Sequence, residues 1–295
     1  MKSISSQHDK YFKSLFSHKE EMTDFIVHAL PLLSKNIDTT TLQLDTTQYI
    51  DKRLEIGYSD IVYNCKYKNK INIKIALLFE HKSEKEDYPH LQLLGYMLKI
   101  WFTNIKQGQP LMPIVPILFY HGKEDWVYEK FANSFEGLDD ILLKYIPEFD
   151  FEFINTKHFT DLQIDQMIDL HTLKMGVLLM KHIYDDNLID ELNIVFGNLT
   201  QVLNNPNGKQ LFETTLIYLY SNLKNEKHKV TEQLNKISTM GAQIAKTIAE
   251  QLIDEGIMQV AINLIKKGHT NETIKDGTGL NDQQINDLRT QIENE

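Results

Sequence analysis

One cysteine in 295 residues cannot form an internal disulfide, and Cys65, flanked by strand-like residues, reads as a small apolar filler. Long apolar runs are missing too. The longest, Met112 to Tyr120, falls far short of the roughly 18 residues that a membrane span needs. The opening residues Met1-Lys2-Ser3-Ile4-Ser5-Ser6 lead into charged residues without the apolar stretch of a secretory signal, which predicts a cytoplasmic protein. There is no glycine-rich phosphate loop and no Ser/His/Asp arrangement with local context, which disfavours nucleotide-dependent and acyl-transfer enzymes. Internal repeats and low-complexity segments are also absent. What is present, 42% hydrophobic and 24% charged residues, suits a folded protein with one sizeable core and room for a smaller appendage.

The net charge of -10 argues against a protein that coats nucleic acid, since phosphate binding relies on lysine and arginine. The charge is unevenly spread. Glu124 to Asp169 holds twelve acids against three lysines, whereas Asn64 to Lys106 holds eight lysines against four acids. The bland reading is two solvated faces; the sharper one sets the basic segment near an anion-binding site.

Periodicity predicts an amphipathic helix over Asp9 to Leu33, interrupted or bent near Ser17-His18. Thr39 to Gln48 alternates like a strand. Tyr58 to Cys65 and Ile71 to Phe79 read as a hairpin with the lysine-rich tip Lys66-Tyr67-Lys68-Asn69-Lys70, and the second strand, apolar on both faces, should be central. Asp87-Tyr88-Pro89 starts a helix that runs to about Ile105, and Ile114 to Tyr120 is a second buried strand, so residues 71 to 120 form a βαβ unit with parallel strands. Helices from Asp161 to Leu223 can cover the sheet. A long helix from Gln243 to Lys267 and shorter ones near Asn271 to Asp276 and Asp282 to Ile292 follow. The last pair imitates a DNA-reading helix-turn-helix. Its second helix carries Asp282, Asp287 and Glu293 against Arg289 alone, so a packing or self-association module is the favoured reading.

The chemistry concentrates at Glu80-His81-Lys82, a carboxylate and an ammonium two residues apart at the end of an apolar strand. Burying either charge alone would cost several kcal/mol, so each needs a partner. Antiparallel pairing brings Asp60 roughly level with Glu80, and Gln92, in the first turns of the crossover helix, can reach the same place. Mg²⁺ is held by one or two carboxylates plus waters and phosphate, so Asp60, Glu80 and the backbone carbonyl of His81 make a plausible set, with Lys82 orienting or deprotonating a water and Gln92 fixing either. About four acid-x-Lys triplets are expected by chance, so the triplet alone is weak; it is the sole one in the chain, and its placement carries the weight. A plain salt bridge between Glu80 and Lys82 is the competing reading. His158, His171 and His182 have no ligand spacing and read as surface or packed residues. Tyr96 reads as packing, and His121-Gly122 borders the cleft or simply ends its strand.

At these residues the sequence resembles the PD-(D/E)XK nuclease superfamily, and more narrowly the recombination-promoting nuclease family, also known as YhgA-like transposases. The resemblance runs from His8-Asp9-Lys10-Tyr11-Phe12-Lys13-Ser14-Leu15-Phe16 through Tyr58-Ser59-Asp60-Ile61-Val62-Tyr63, Glu80-His81-Lys82-Ser83 and Gln92 to Trp101, to Pro113 to Tyr120 with His121-Gly122. It covers residues 8 to 126 closely and the helical remainder loosely. The superfamily's proline before the first acid is replaced by Ser59.

The resemblance implies a Mg²⁺-dependent DNA endonuclease of low sequence specificity, with Mn²⁺ or Ca²⁺ as alternative ions, linked to recombination or to defence against foreign DNA. Asp60 and Glu80 match the metal-binding acids, Lys82 the catalytic lysine, Gln92 the helix glutamine and Asp9 the acid of the opening helix. The expected fold is α/β, a restriction-endonuclease-like mixed sheet flanked by helices, over residues 1–225. A helical C-terminal module, 226–295, is expected to make a homo-oligomer, with DNA as the other partner. The alternative is a nucleic-acid-binding or interaction protein that keeps the fold without cutting.

Overall fold

The computed structural model describes residues 5–46, 59–80, 87–223 and 226–293. Contacts divide the chain into two compact units, Met1–Leu223 and Lys224–Glu295. The first opens on α1 (Ser5–Phe16), α2 (Lys19–Ala29) and the single turn α3 (Pro31–Ser34). The break between α1 and α2 falls at Ser17-His18, where His18 is extended and precedes the first turn of α2.

Next come β1 (Ile37–Leu44), β2 (Ser59–Tyr67), β3 (Ile71–Glu80), α4 (Pro89–Lys106) and β4 (Ile114–Tyr120); beyond the short α5 (Asp140–Leu143) lies β5 (Glu152–Asn155). The five strands form one mixed sheet in the order β1-β2-β3-β4-β5, antiparallel through β3 and parallel from β3 to β5. The hairpin turn is closed by Lys70 N–H on Tyr67 O, with Lys68 and Asn69 both at positive φ, the type I′ geometry that matches strand twist. β3 is central, as its continuous apolar run predicts. The acidic stretch contains a strand that periodicity does not reveal: β5 is four residues long and pairs only with β4.

The faces follow the alternation of side chains along each strand. Val62, Ile114, Leu118 and Tyr120 pack against Leu93, Tyr96, Met97 and Ile100 of α4. On the opposite face Tyr63 donates its hydroxyl to Phe16 O (2.9 Å), and Phe119 meets Phe12, Phe16 and Phe25 at ring separations of 5.5, 5.6 and 6.0 Å. That layer is closed by α6 (Asp161–Met167), α7 (His171–His182), α8 (Leu192–Phe196), α9 (Leu199–Asn204) and α10 (Gly208–Asn222). α7 is buried all round from Thr172 to Met180, the signature of a helix inside a core. Tyr11 of α1 stacks on Tyr218 of α10 (4.2 Å between centroids) and hydrogen-bonds Thr215 (3.0 Å).

The turn into α10 requires a glycine, because a Cβ on Gly208 would lie 1.6 Å from the carbonyl oxygen of Val202. Relief needs main-chain movement. Gly208→Ala should therefore lower the stability of this unit by about 1–3 kcal/mol, read by urea denaturation; a loss below about 0.5 kcal/mol, the size of an ordinary surface substitution, would mean the α9–α10 turn shifts freely.

The second unit holds α11 (Lys227–Ile237), α12 (Thr239–Lys266), α13 (Asn271–Thr278) and α14 (Asp282–Glu293). Ser238 caps α12 through Gly241 N–H, and Gly279 ends α13 in the left-handed region. Ile274, Ile285 and Leu288 pack on Ala261 and Ile265 of α12. Arg289 donates to Asn271 Oδ1 (2.9 Å) and His269 O (2.6 Å), so its guanidinium is engaged within the unit. Among the described residues no helix is long and apolar enough to cross a membrane.

Candidate active site

Residues 60 and 80 are brought to one end of the sheet by the hairpin register. Asp60 pairs with Leu78, and Glu80, two residues further along β3, pairs with Tyr120 of β4. Side chains alternate between faces, so positions 60, 78, 80 and 120 share the face that α4 covers. That register makes Asp60 a diagonal neighbour of Glu80, about 7–8 Å away by backbone geometry, where simple pairing expected the two roughly level. His81 and Lys82 lie outside the described residues.

Gln92 belongs to the same end. Tyr88 precedes α4, and Pro89 occupies its first turn, where a missing N–H costs nothing. The helix runs back over the sheet for about 27 Å: Tyr96 packs near Tyr120, whereas Trp101 donates to Met112 O (2.8 Å), just before β4 begins. Gln92 is half-buried one turn ahead of Tyr96, so it extends the line of contacts toward the end of β3.

Asp9 approaches this end from the other face. α1 directs its first turns toward the end of β4: His8 and His121 rings are 5.5 Å apart, while Phe12 meets Phe119. His121 is buried, with Nδ1 3.0 Å from Met180 O and its ring stacked on Tyr184, so it belongs to the helical layer and does not line the α4 side. Burial pushes the Asp9 carboxyl up to about 6, against the pull of the Lys13 ammonium. An acid whose folded-state value is raised favours folding while protonated, and that contribution is lost as pH climbs from about 4 through about 6. Asp9→Asn should therefore stabilise the protein at pH 8 by on the order of 1–2 kcal/mol after solvent screening, with the gain vanishing below about pH 4. Thermal melts of both proteins across pH 4 to 8 check this; parallel curves would refute it.

Beside the first turn of α4 is a recess of about 110 Å³ whose walls include His90, Trp126, Tyr128, Phe151 and Phe153. Asp87 and Glu129 line it against Lys130, a balance that does not favour phosphate. His90 is buried against Phe131, Phe149 and Phe151, and that burial holds its imidazole below the ordinary range despite Asp150 nearby. The aromatic walls come largely from the acidic stretch, which charge counting reads only as a solvated face.

The basic segment does not gather at one place. Lys66, Lys68 and Lys70 sit at the hairpin turn, the opposite end of β3 from Glu80, about 30 Å away along an extended strand. Lys74 is buried, paired with Asp45 and donating to Asn64 Oδ1 (2.9 Å). The hairpin lysines thus do not border the Glu80 end, because a ten-residue strand separates them from it.

Known proteins resemble this chain along most of its length. The family described as "Putative transposase, YhgA-like" matches residues 6–210. The inactive recombination-promoting nuclease-like protein RpnE of Escherichia coli K12 is 25% identical over 296 residues, covering 95% of this chain and 97% of the relative. Recombination-promoting nuclease RpnD of Escherichia coli O157:H7 is 23% identical, over 84% of this chain and 94% of its own. Recombination-promoting nuclease RpnA of Escherichia coli K12 is 30% identical over 42% of each chain. No solved structure matches.

Proposed function

This chain belongs to the YhgA-like transposase family, and on that premise we propose that it is a metal-dependent DNA endonuclease of low sequence specificity, acting in recombination or in defence against foreign DNA. The observation that carries the reading is the register of β2 and β3, with acids at positions 60 and 80 on one face where α4 begins. Two carboxylates sharing a face suit a hard divalent cation, which prefers oxygen ligands. Asp60, Glu80 and the backbone carbonyl of His81 would hold Mg²⁺, with Mn²⁺ or Ca²⁺ as substitutes. Bound there, the ion would supply charge neutralisation and a more acidic water.

The chain's own groups do the rest. Lys82, two residues after Glu80, orients the attacking water and takes or shares its proton; the Gln92 amide fixes that water or the Lys82 amine. Phosphodiester hydrolysis needs these groups and an open approach for the backbone. It needs no base-reading element, which agrees with low specificity. The 226–295 module is assigned to self-association, and no described helix offers a membrane span.

A second reading has its own support: RpnE, a relative aligned over nearly its whole length, is named inactive. On that reading the chain keeps the fold as an interaction or nucleic-acid-binding protein. Purified protein incubated with supercoiled plasmid and Mg²⁺, Mn²⁺ or Ca²⁺, with and without EDTA, separates the two. Metal-dependent nicking supports the nuclease; intact plasmid in all three ions supports the second reading.

A further inference from the structure

On the helical side of the sheet, Asp24 and His28 stand one turn apart on α2, and Asp169, just before α7, meets them. The imidazole joins the acids. Its Nδ1 is 2.9 Å from Asp24 Oδ1 and 3.0 Å from Asp24 O, and its Nε2 is 3.3 Å from Asp169 Oδ2. The backbone carbonyl of Asp24 is the hydrogen-bond partner of Nδ1 and can only accept, so Nδ1 carries the proton and donates it to the main chain, which leaves Asp24 Oδ1 available as a ligand. In the neutral ring, Nε2 then presents a lone pair to a carboxylate oxygen. Two electron-rich atoms in that arrangement call for a cation, which can be a second ring proton or a metal ion.

Several features favour the metal. Two acids surround one imidazole, and among the described residues no lysine or arginine pairs with either acid. Asp24 is only 8% exposed, and its Oδ2 accepts Leu170 N–H at 3.1 Å, so this ligand is held in place before any ion arrives. A histidine whose other ring nitrogen donates to a carbonyl or carboxylate is the arrangement that orients metal-binding imidazoles. His28 lies in the last turn of α2, where the helix's free carbonyls favour positive charge. One ligand atom from each of the three residues lies within 4.8 Å of the others. The 3.3 Å between Nε2 and Asp169 Oδ2 matches the edge of a tetrahedron with metal–ligand bonds of about 2.0–2.1 Å.

We propose that Asp24, His28 and Asp169 form a second metal site, separate from residues 60 and 80, which takes a borderline ion such as Zn²⁺ and ties α2 to the start of α7. An imidazole nitrogen between two carboxylates suits Zn²⁺ and its neighbours; Mg²⁺ prefers an all-oxygen shell and keeps its waters. The site joins positions more than 140 residues apart, so the bound ion favours the folded over the unfolded chain.

The test uses the full-length Glu80→Gln protein, freed of metal by chelation, so that the acids at the sheet end contribute little. Titration with Co²⁺ should give visible absorption that saturates at one equivalent, with Zn²⁺ displacing it and Mg²⁺ not. Zn²⁺ should also raise the melting temperature. His28→Gln and Asp169→Ala should each weaken Co²⁺ and Zn²⁺ binding by at least about tenfold. Asp169 is 80% exposed, so its replacement leaves the fold intact even if His28→Gln does not. Binding that survives unchanged in Asp169→Ala, or no uptake by the parent protein, would overturn the proposal. So would a melting temperature that responds to acidification but not to Zn²⁺, the result expected if a second ring proton is the cation.

Discussion

On the proposed function, Asp60→Asn and Glu80→Gln should each lower the rate of plasmid nicking in Mg²⁺ by about two to three orders of magnitude, the several kcal/mol that a bound cation supplies to a phosphoryl transition state. The two losses are not additive, because either change alone empties the same site. Gln92→Ala, which acts through Lys82 or the water, costs less, about 10–100-fold. Each variant should keep its melting temperature within a few degrees, and this separates lost chemistry from lost fold. Single-turnover nicking at saturating Mg²⁺ is the measurement. If activity persists in both acid variants, the acids at positions 60 and 80 are not the site, and nicking belongs to other residues or to a contaminant. A partial loss restored at high Mn²⁺ would instead mark a weakened site with its remaining ligand intact.

Phe119→Ala should remove about 3–5 kcal/mol from the stability of the N-terminal unit, the range for deleting a fully buried aromatic ring. Phe119 has no exposed surface and meets Phe12, Phe16 and Phe25, so one ring bonds β4 to both α1 and α2. The loss combines transfer of the ring, the cavity it leaves and the tilted ring contacts it made. Against a total of about 5–15 kcal/mol this is a large share, and partial unfolding at 37 °C is expected. Because the chain holds two compact units, urea unfolding should be followed by near-UV signals of the first unit and not treated as one two-state transition. Phe102→Ala serves as the control: that ring is 65% exposed, and its loss should cost no more than about 0.5 kcal/mol. Equal effects from the two substitutions would mean that the aromatic cluster is not what joins the layers.

Positions 60 and 80 show how local signals add up to a shared place in the sheet. The hairpin from Ser59 to Glu80 was legible because β-branched and apolar residues bracket a polar turn, and the α4 start was legible because Pro89 is tolerated only in a first turn. Together these bring residues 60, 80 and 92 to one end of a sheet, each step requiring only near neighbours in the chain. The diagonal offset between Asp60 and Glu80 was not legible, since it depends on how many residues the loop leaves unpaired, here Lys68 to Lys70, and a run of polar residues does not announce that number.

By itself, then, the chain's order of residues determined the central strands, the crossover helix and the ends at which chemistry can collect, because hydrophobic periodicity and turn chemistry act over a few residues. Tertiary structure alone decided the rest. β5 exists because β4 offers an edge to four residues that have no strand pattern of their own. The hairpin lysines are carried away from Glu80 by the length of β3. Asp24 and His28 acquire Asp169 only when α2 docks beside α7, since contacts between distant residues are written in packing, which no short window of sequence contains.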